Sequence, residues 1–145
     1  MKTFISISAL ILSLTLTAQT SPATWYLNDT SGNGIQSPNN TASGNRSTAM
    51  GYDTTASGDY STATGRDTQA IGNFSTAMGY NSEASGAAST AMGWYTTASG
   101  AASSAMGERT TASGIYSTAM GRLSEASGSY STAIGRYTTA SDYAS

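Results

Sequence analysis

The sequence predicts an all-β rod, a parallel β-roll wound in 14-residue coils, and three columns of residues predict it. From residue 42 onward Gly recurs at 44, 51, 58 and every seventh position to 135, which takes 14 of the 16 glycines. Ala stands two residues before each of them, in a column that runs from Ala42 to Ala140 without exception. Ser or Thr stands four before, from Ser47 to Ser145.

A seven-residue step invites a coiled coil, but every heptad carries a Gly that costs about 1 kcal/mol in a helix interior, and Ser and Thr fill most of the rest. Collagen needs Gly at every third residue. A five-residue strand such as Ser47-Thr48-Ala49-Met50-Gly51 followed by a two-residue corner such as Tyr52-Asp53 fits instead, with Gly supplying positive φ at the strand end. The full period is fourteen, because the residue before Gly alternates in size: Met50 then Ser57, Met78 then Ser85, Met92 then Ser99, Met106 then Ser113, Met120 then Ser127, Ile134 then Ser141. One coil breaks the rule, with Thr64 where Met belongs and Ile71 where Ser belongs. Bulk conserved within a coil points to a shared narrow interior. On this reading Met50, Ile71, Met78, Met92, Met106, Met120 and Ile134 face inward with Thr48. Ala49 and its column then face outward, as a flat surface for close approach by another chain. About seven coils at about 4.8 Å each give a rod roughly 35 Å long.

Ahead of the repeat, residues 1–18 read as a secretory signal peptide. Lys2 precedes an apolar run from Phe4 to Leu16 that ends at Ala18-Gln19, with no charge between Lys2 and Asp29. Residues 19–40 read as a leader or linker of Ser, Pro, Asn, Gly and Thr around Trp25-Tyr26-Leu27, whose aromatics could dock on the first coil. Residues 41–145 are the repeat. Ser145 opens what would be another S-T-A-x-G strand, so the repeat reads as truncated at its C-terminus. No segment after the signal is hydrophobic enough to span a bilayer.

The chain has no Cys and no His, and with 10% charged residues and pI near 4.7 it presents no basic field. Disulfides, thiolate chemistry and a neutral-pH imidazole are excluded, and nucleic acid is not an expected partner. Asp53 and Asp67 fall one coil apart and could stack about 5 Å from one another, near a retaining glycosidase separation. Beside Arg66 they read instead as solvated corner acids, too few for a calcium cage. No phosphate-binding Gly motif occurs. No enzyme activity, cofactor or metal site is predicted.

The repeat closely resembles the YadA-like heads of trimeric autotransporter adhesins, whose motif reads N-S-V-A-I-G-x-x-S. Ser131-Thr132-Ala133-Ile134-Gly135-Arg136-Tyr137-Thr138 matches it best, and Ser117-Thr118-Ala119-Met120-Gly121-Arg122-Leu123-Ser124 follows closely. The resemblance covers residues 41 to 145. It implies a left-handed parallel β-roll, three chains side by side and display on a bacterial surface or outer membrane. Thr replaces the family's Val, Met mostly replaces Ile, and residues such as Tyr60, Phe74 and Tyr130 replace its Asn. Collagen specificity is therefore not carried over, and the family's neck, stalk and membrane barrel are absent from this sequence.

The functional reading is an exported adhesin head, a homotrimer that attaches to a host matrix protein or surface polymer. The alternatives are a passive spacer rod and an ice-binding solenoid, the last disfavoured because the Thr48 column is read as facing inward. Ten of the 13 aromatics and all five arginines of the repeat lie in the corners. Residues 52, 66, 80, 94, 108, 122 and 136 should form one outer ladder, with 53, 67, 81, 95, 109, 123 and 137 beside it. Tyr, Trp and Arg dominate binding hot spots, and a solvent-facing corner has no core reason to hold Trp94 next to Tyr95. Tyr80, Trp94, Tyr95, Arg109 and Arg122 are the candidate ligand-binding residues. The competing reading is that these side chains only pack on neighbouring corners.

Overall fold

The computed structural model describes residues 26–27, 35–36 and 39–145; the signal segment over 1–18, and Trp25 in the leader, lie outside the described residues. Every coil contributes one long and one short strand. The long strands are β4 (Thr48–Tyr52), β6 (Thr62–Arg66), β8 (Thr76–Tyr80), β10 (Thr90–Trp94), β12 (Ser104–Glu108), β14 (Thr118–Arg122) and β16 (Thr132–Arg136). The short ones are β3 (Thr41–Ala42), β5 (Thr55–Ala56), β7 (Gln69–Ala70), β9 (Glu83–Ala84), β11 (Thr97–Ala98), β13 (Thr111–Ala112), β15 (Glu125–Ala126) and β17 (Thr139–Ala140). Each set stacks in order into its own parallel sheet, and partners lie one coil apart, Met92 between Met78 and Met106. The chain is thus an all-β parallel solenoid of 14-residue coils, as the alternation predicts.

Inside the segment read as linker, β1 (Tyr26–Leu27) and β2 (Ile35–Gln36) form an antiparallel pair, and β2 adds to the long-strand sheet beside β4. Asn40 then closes the first coil. Its side-chain N–H donates to the Gly51 carbonyl and its side-chain oxygen accepts from the Thr54 N–H, both at 2.9 Å.

The two strands of a coil are unequal, where equal five-residue strands were expected. After Ala56 the N–H groups of Ser57 and Gly58 both donate to the Ala70 carbonyl, at 2.9 and 3.3 Å, and the chain leaves the ladder for the turn at 58–60. Positive φ is spent mainly on the second corner residue, as at Asp53 (52°), Tyr60 (58°) and Tyr95 (55°). Only every other Gly shares it. Gly93 sits at φ 135° and a Cβ there would also strike the Gly107 carbonyl, whereas at Gly100 room is the sole requirement: a Cβ would strike the Gly114 carbonyl in the next coil. Asp142 continues the Gly100 column and has no positive φ, so tolerance of positive φ is not what admits it.

The predicted inside and outside of the coil are exchanged. The whole Ala column is the core, with Ala42 through Ala126 at 0% exposure, and the Ser/Thr column from Ser47 to Ser131 is buried with it. Met50, Met78 and Met92 are exposed, as are Ile71 and Ile134, while Met106 and Met120 are half-buried. The reason is width. Two sheets of one coil lie back to back on a single layer of Ala, Ser and Thr, and no Met fits between them. Thr48 does share a face with Met50, but that face is the outer one. The Ala column cannot therefore be a subunit surface. Nor does a common interior link Thr64 to Ile71, because Thr64 lies on the outer side of the long-strand sheet and Ile71 on the outer side of the short-strand sheet. Nothing in the structure explains Ile71.

Candidate functional site

Because the coils stack in register, each corner position becomes a ladder. Tyr52 pairs with Arg66, Arg66 with Tyr80, Tyr80 with Trp94 and Trp94 with Glu108. The second corner residue is tied to the coil before it through the backbone, the Tyr95 N–H donating to the Tyr80 carbonyl and the Arg109 N–H to the Trp94 carbonyl, at 2.9 and 2.8 Å. The two predicted ladders are therefore real neighbours.

On them the structure assembles an aromatic cluster. Trp94 meets Tyr95 edge to face with ring centroids 4.9 Å apart, Tyr80 lies 5.5 Å from Tyr95 and 6.5 Å from Trp94, and the Arg109 guanidinium sits 5.4 Å over the Trp94 ring. Arg66 extends the cluster by lying between two rings, 5.7 Å from Tyr52 and 5.6 Å from Tyr80, with Asp67 at 3.4 Å. Contacts of this kind contribute about 0.5–1 kcal/mol each at exposed sites. The Tyr95 phenol is held above the ordinary tyrosine value, first by its hydrogen bond with the Tyr80 side chain.

Four of the five candidate residues, Tyr80, Trp94, Tyr95 and Arg109, are in one group. Arg122 is not; it lies one coil further on and pairs with Glu108 at 3.1 Å. The corner side chains do pack on one another, as the competing reading holds, yet Trp94 and Tyr95 keep 42% and 41% of their surface exposed. Tyr52 and Arg66, which the ladder contained but the candidate set omitted, belong to the same stripe.

The opposite edge carries a second aromatic ladder that the sequence reading passed over. Tyr60 stacks on Phe74 and Tyr116 on Tyr130, each with centroids 5.1 Å apart, and Arg46 donates to the Tyr60 hydroxyl at 2.7 Å. Asn45, Arg46, Asp59 and Tyr60 line an open cleft of about 240 Å³ there. The signal was the 14-residue recurrence of 60, 74, 116 and 130. Ala88 and Ala102 interrupt it at the coils that carry Trp94 and Tyr95 on the other edge, so large side chains occupy one edge or the other at that height.

Among the described residues no group of three or more His, Cys, Asp or Glu could hold a metal ion, and Asp67 is engaged with Arg66. The Thr48 column does face outward, against the ground on which ice binding was set aside. Its outward neighbour two residues on is Met or Ile in every coil but one, so Thr62-Ala63-Thr64 is the one Thr-x-Thr in this column and no array of them forms. Among the described residues no helix is long and apolar enough to cross a membrane.

The fold and its edges define a class: a repetitive parallel β-solenoid that presents its corner side chains in ladders along two edges. The chain belongs to the YadA head domain repeat family, whose model matches residues 42–68, 70–96, 98–124, 112–138 and 126–145. These head repeats point to the trimeric autotransporter adhesins, a surface-exposed, trimeric family of structural adhesin repeats not known as catalytic. A search of curated proteins finds no match to the chain.

Proposed function

We propose that the protein is the head of an exported bacterial surface adhesin that works as a homotrimer and attaches to a host or environmental polymer. The observation that carries the adhesive site is the exposed Tyr80, Trp94, Tyr95 and Arg109 cluster, extended by Arg66 and Tyr52 along one edge. Aromatic faces beside fixed guanidinium groups suit an extended polymer, because apolar ring faces and charged donors repeat at one-coil steps of about 4.8 Å.

Assembly is supported by the outer side of the long-strand sheet. Its two columns, Thr48 with equivalents and Met50 with equivalents, run the length of the rod without one charged residue, and Met92 keeps 37% exposure and Ile134 63%. Large apolar side chains left in a row on a free chain mark an interaction surface. The other sheet's outer side carries Gln69, Glu83 and Glu125 and is suited to solvent.

The test is adhesion of beads bearing the assembled protein, wild type against the Trp94→Ala/Tyr95→Ala variant, with thermal melting and analytical ultracentrifugation alongside. Adhesion lost at unchanged melting temperature and unchanged mass supports the patch. Unchanged adhesion eliminates it in favour of a spacer rod, and a large drop in melting temperature assigns the cluster to packing.

A further inference from the structure

We infer that Thr64 sets the axial register in which copies of this chain pack, an inference that rests on the assembly through the Thr48/Met50 face proposed above. The difficulty it answers is built into the fold. A rod of identical coils can slide along its neighbour by one coil and find the same surface again, because the face repeats every 14 residues. Sheets with a weakly specified surface slip for this reason.

The face itself commits to copies of the same chain. It spans seven rows at about 4.8 Å and about 7 Å across positions 48 to 50, roughly 230 Å² in all, leaving the corner column that begins at Tyr52 outside it. Two copies joined flat on this face bury roughly 460 Å² together, well short of the ~1,200 Å² of a stable pair. A third copy around a common axis covers the flanks that a pair leaves wet. Like rows then meet at one height, and the row sequence down the rod is Met50, Thr64, Met78, Met92, Met106, Met120, Ile134.

Thr64 is the polar interruption in that column. It is half-buried even in the single chain, between Met50 and Met78 in the neighbouring strands. In register, the Thr64 hydroxyls of all copies share one row and find partners in each other. A slip of one coil sets each against a Met side chain, which desolvates the hydroxyl without a partner and spoils two rows instead of one. A single polar row in an apolar seam specifies coiled-coil alignment in the same way, at some cost in stability. Met occupies five of the other six positions of this column, so a Met at 64 is compatible with the coil, and its absence there needs a reason that the single chain does not supply.

The experiment uses two singly labelled populations, Ser57→Cys and Ser127→Cys, each carrying a nitroxide. Both sites are exposed on the outer side of the short-strand sheet, away from the face, and lie five coils apart. Mixed assemblies are read by pulsed dipolar spectroscopy. In the wild-type background one interchain 57-to-127 distance to each of the other two copies is expected. In Thr64→Met, additional populations with the labels one coil, about 4.8 Å along the axis, nearer and farther should appear, with melting temperature equal or raised. Moving the polar row in Thr64→Met/Met92→Thr should restore the wild-type distribution. An unchanged distribution in Thr64→Met, or populations displaced by one coil already in wild type, overturns the inference while leaving a trimer. A wild-type monomer in the ultracentrifuge overturns the assembly reading, and this inference with it.

Discussion

Ala91 and Met92 are neighbours in β10 and point in opposite directions, and the two columns they belong to follow opposite rules. The inner column is the same residue in every coil, because each Ala lies against the equivalent Ala of the strands beside it and against the facing sheet across a gap that admits nothing larger. The outer column changes from Met to Thr to Ile along the rod, and most of its residues stay exposed, because none of the described residues closes over it. The lesson is that in a solenoid this thin the apolar residues with the greatest burial potential are not the core. The single chain holds itself together by ladder hydrogen bonds and a one-methyl interior. Its larger apolar groups lie on the outside of the coil.

Breaking the inner rule should have the largest effect. Ala91→Met places a long side chain where Ala91 has no exposure, and overpacking of at least about 3 kcal/mol is expected because the repeat allows no local relief. Loss of the strand signal in circular dichroism, or a melting temperature far below wild type, is the outcome; a normal melt would mean that the interior is not closed. Met92→Ala, one residue away, should leave the fold of the chain intact.

A second variant pair sharpens why the inner path is so uniform. Gly100→Ala should cost about 2 kcal/mol or more through its collision with the Gly114 carbonyl. Gly100→Asn should be no milder, because relief of backbone strain is not what the position needs. Gly100→Asn melting close to wild type would show that conformation, not room, governs the column.

The smallest expected effect lies on the outer corner. Ala88 holds φ 55° with an exposed side chain, a conformation that Asn tolerates better than Ala. Ala88→Asn should therefore raise stability by roughly 0.5–1 kcal/mol in thermal or denaturant unfolding. A decrease would mean that the bare edge beside Ala88 and Ala102 is needed small for another reason.

The repeat length, the coil, the parallel register and the ladders of corner residues were all legible in the sequence. A 14-residue alternation can close on itself only if equivalent positions stack, so Trp94 falls beside Tyr80 and Tyr95 beside Arg109 whatever the cross-section. The candidate cluster came from the same arithmetic. Arg122 fell outside it because arithmetic supplies heights, not partners, and Glu108 at the intervening corner takes its charge. The ladder of Tyr60, Phe74, Tyr116 and Tyr130 was equally visible as a 14-residue recurrence, and its two alanines hid it.

What the sequence by itself determined is therefore the periodicity: which residues share a column, and that Thr48 and Met50 face one way and Ala49 the other. Which way is in, only the tertiary structure decided. Alternation assigns two faces without ranking them, and the ordinary preference for burying the larger apolar residue selects Met50. The choice is reversed by the separation of the two sheets, a distance set by turns at Gly58 and Tyr60, by glycines that let successive coils stack without a Cβ between them, and by Ala and Ser meeting across the coil. That separation exists only once the coil is closed.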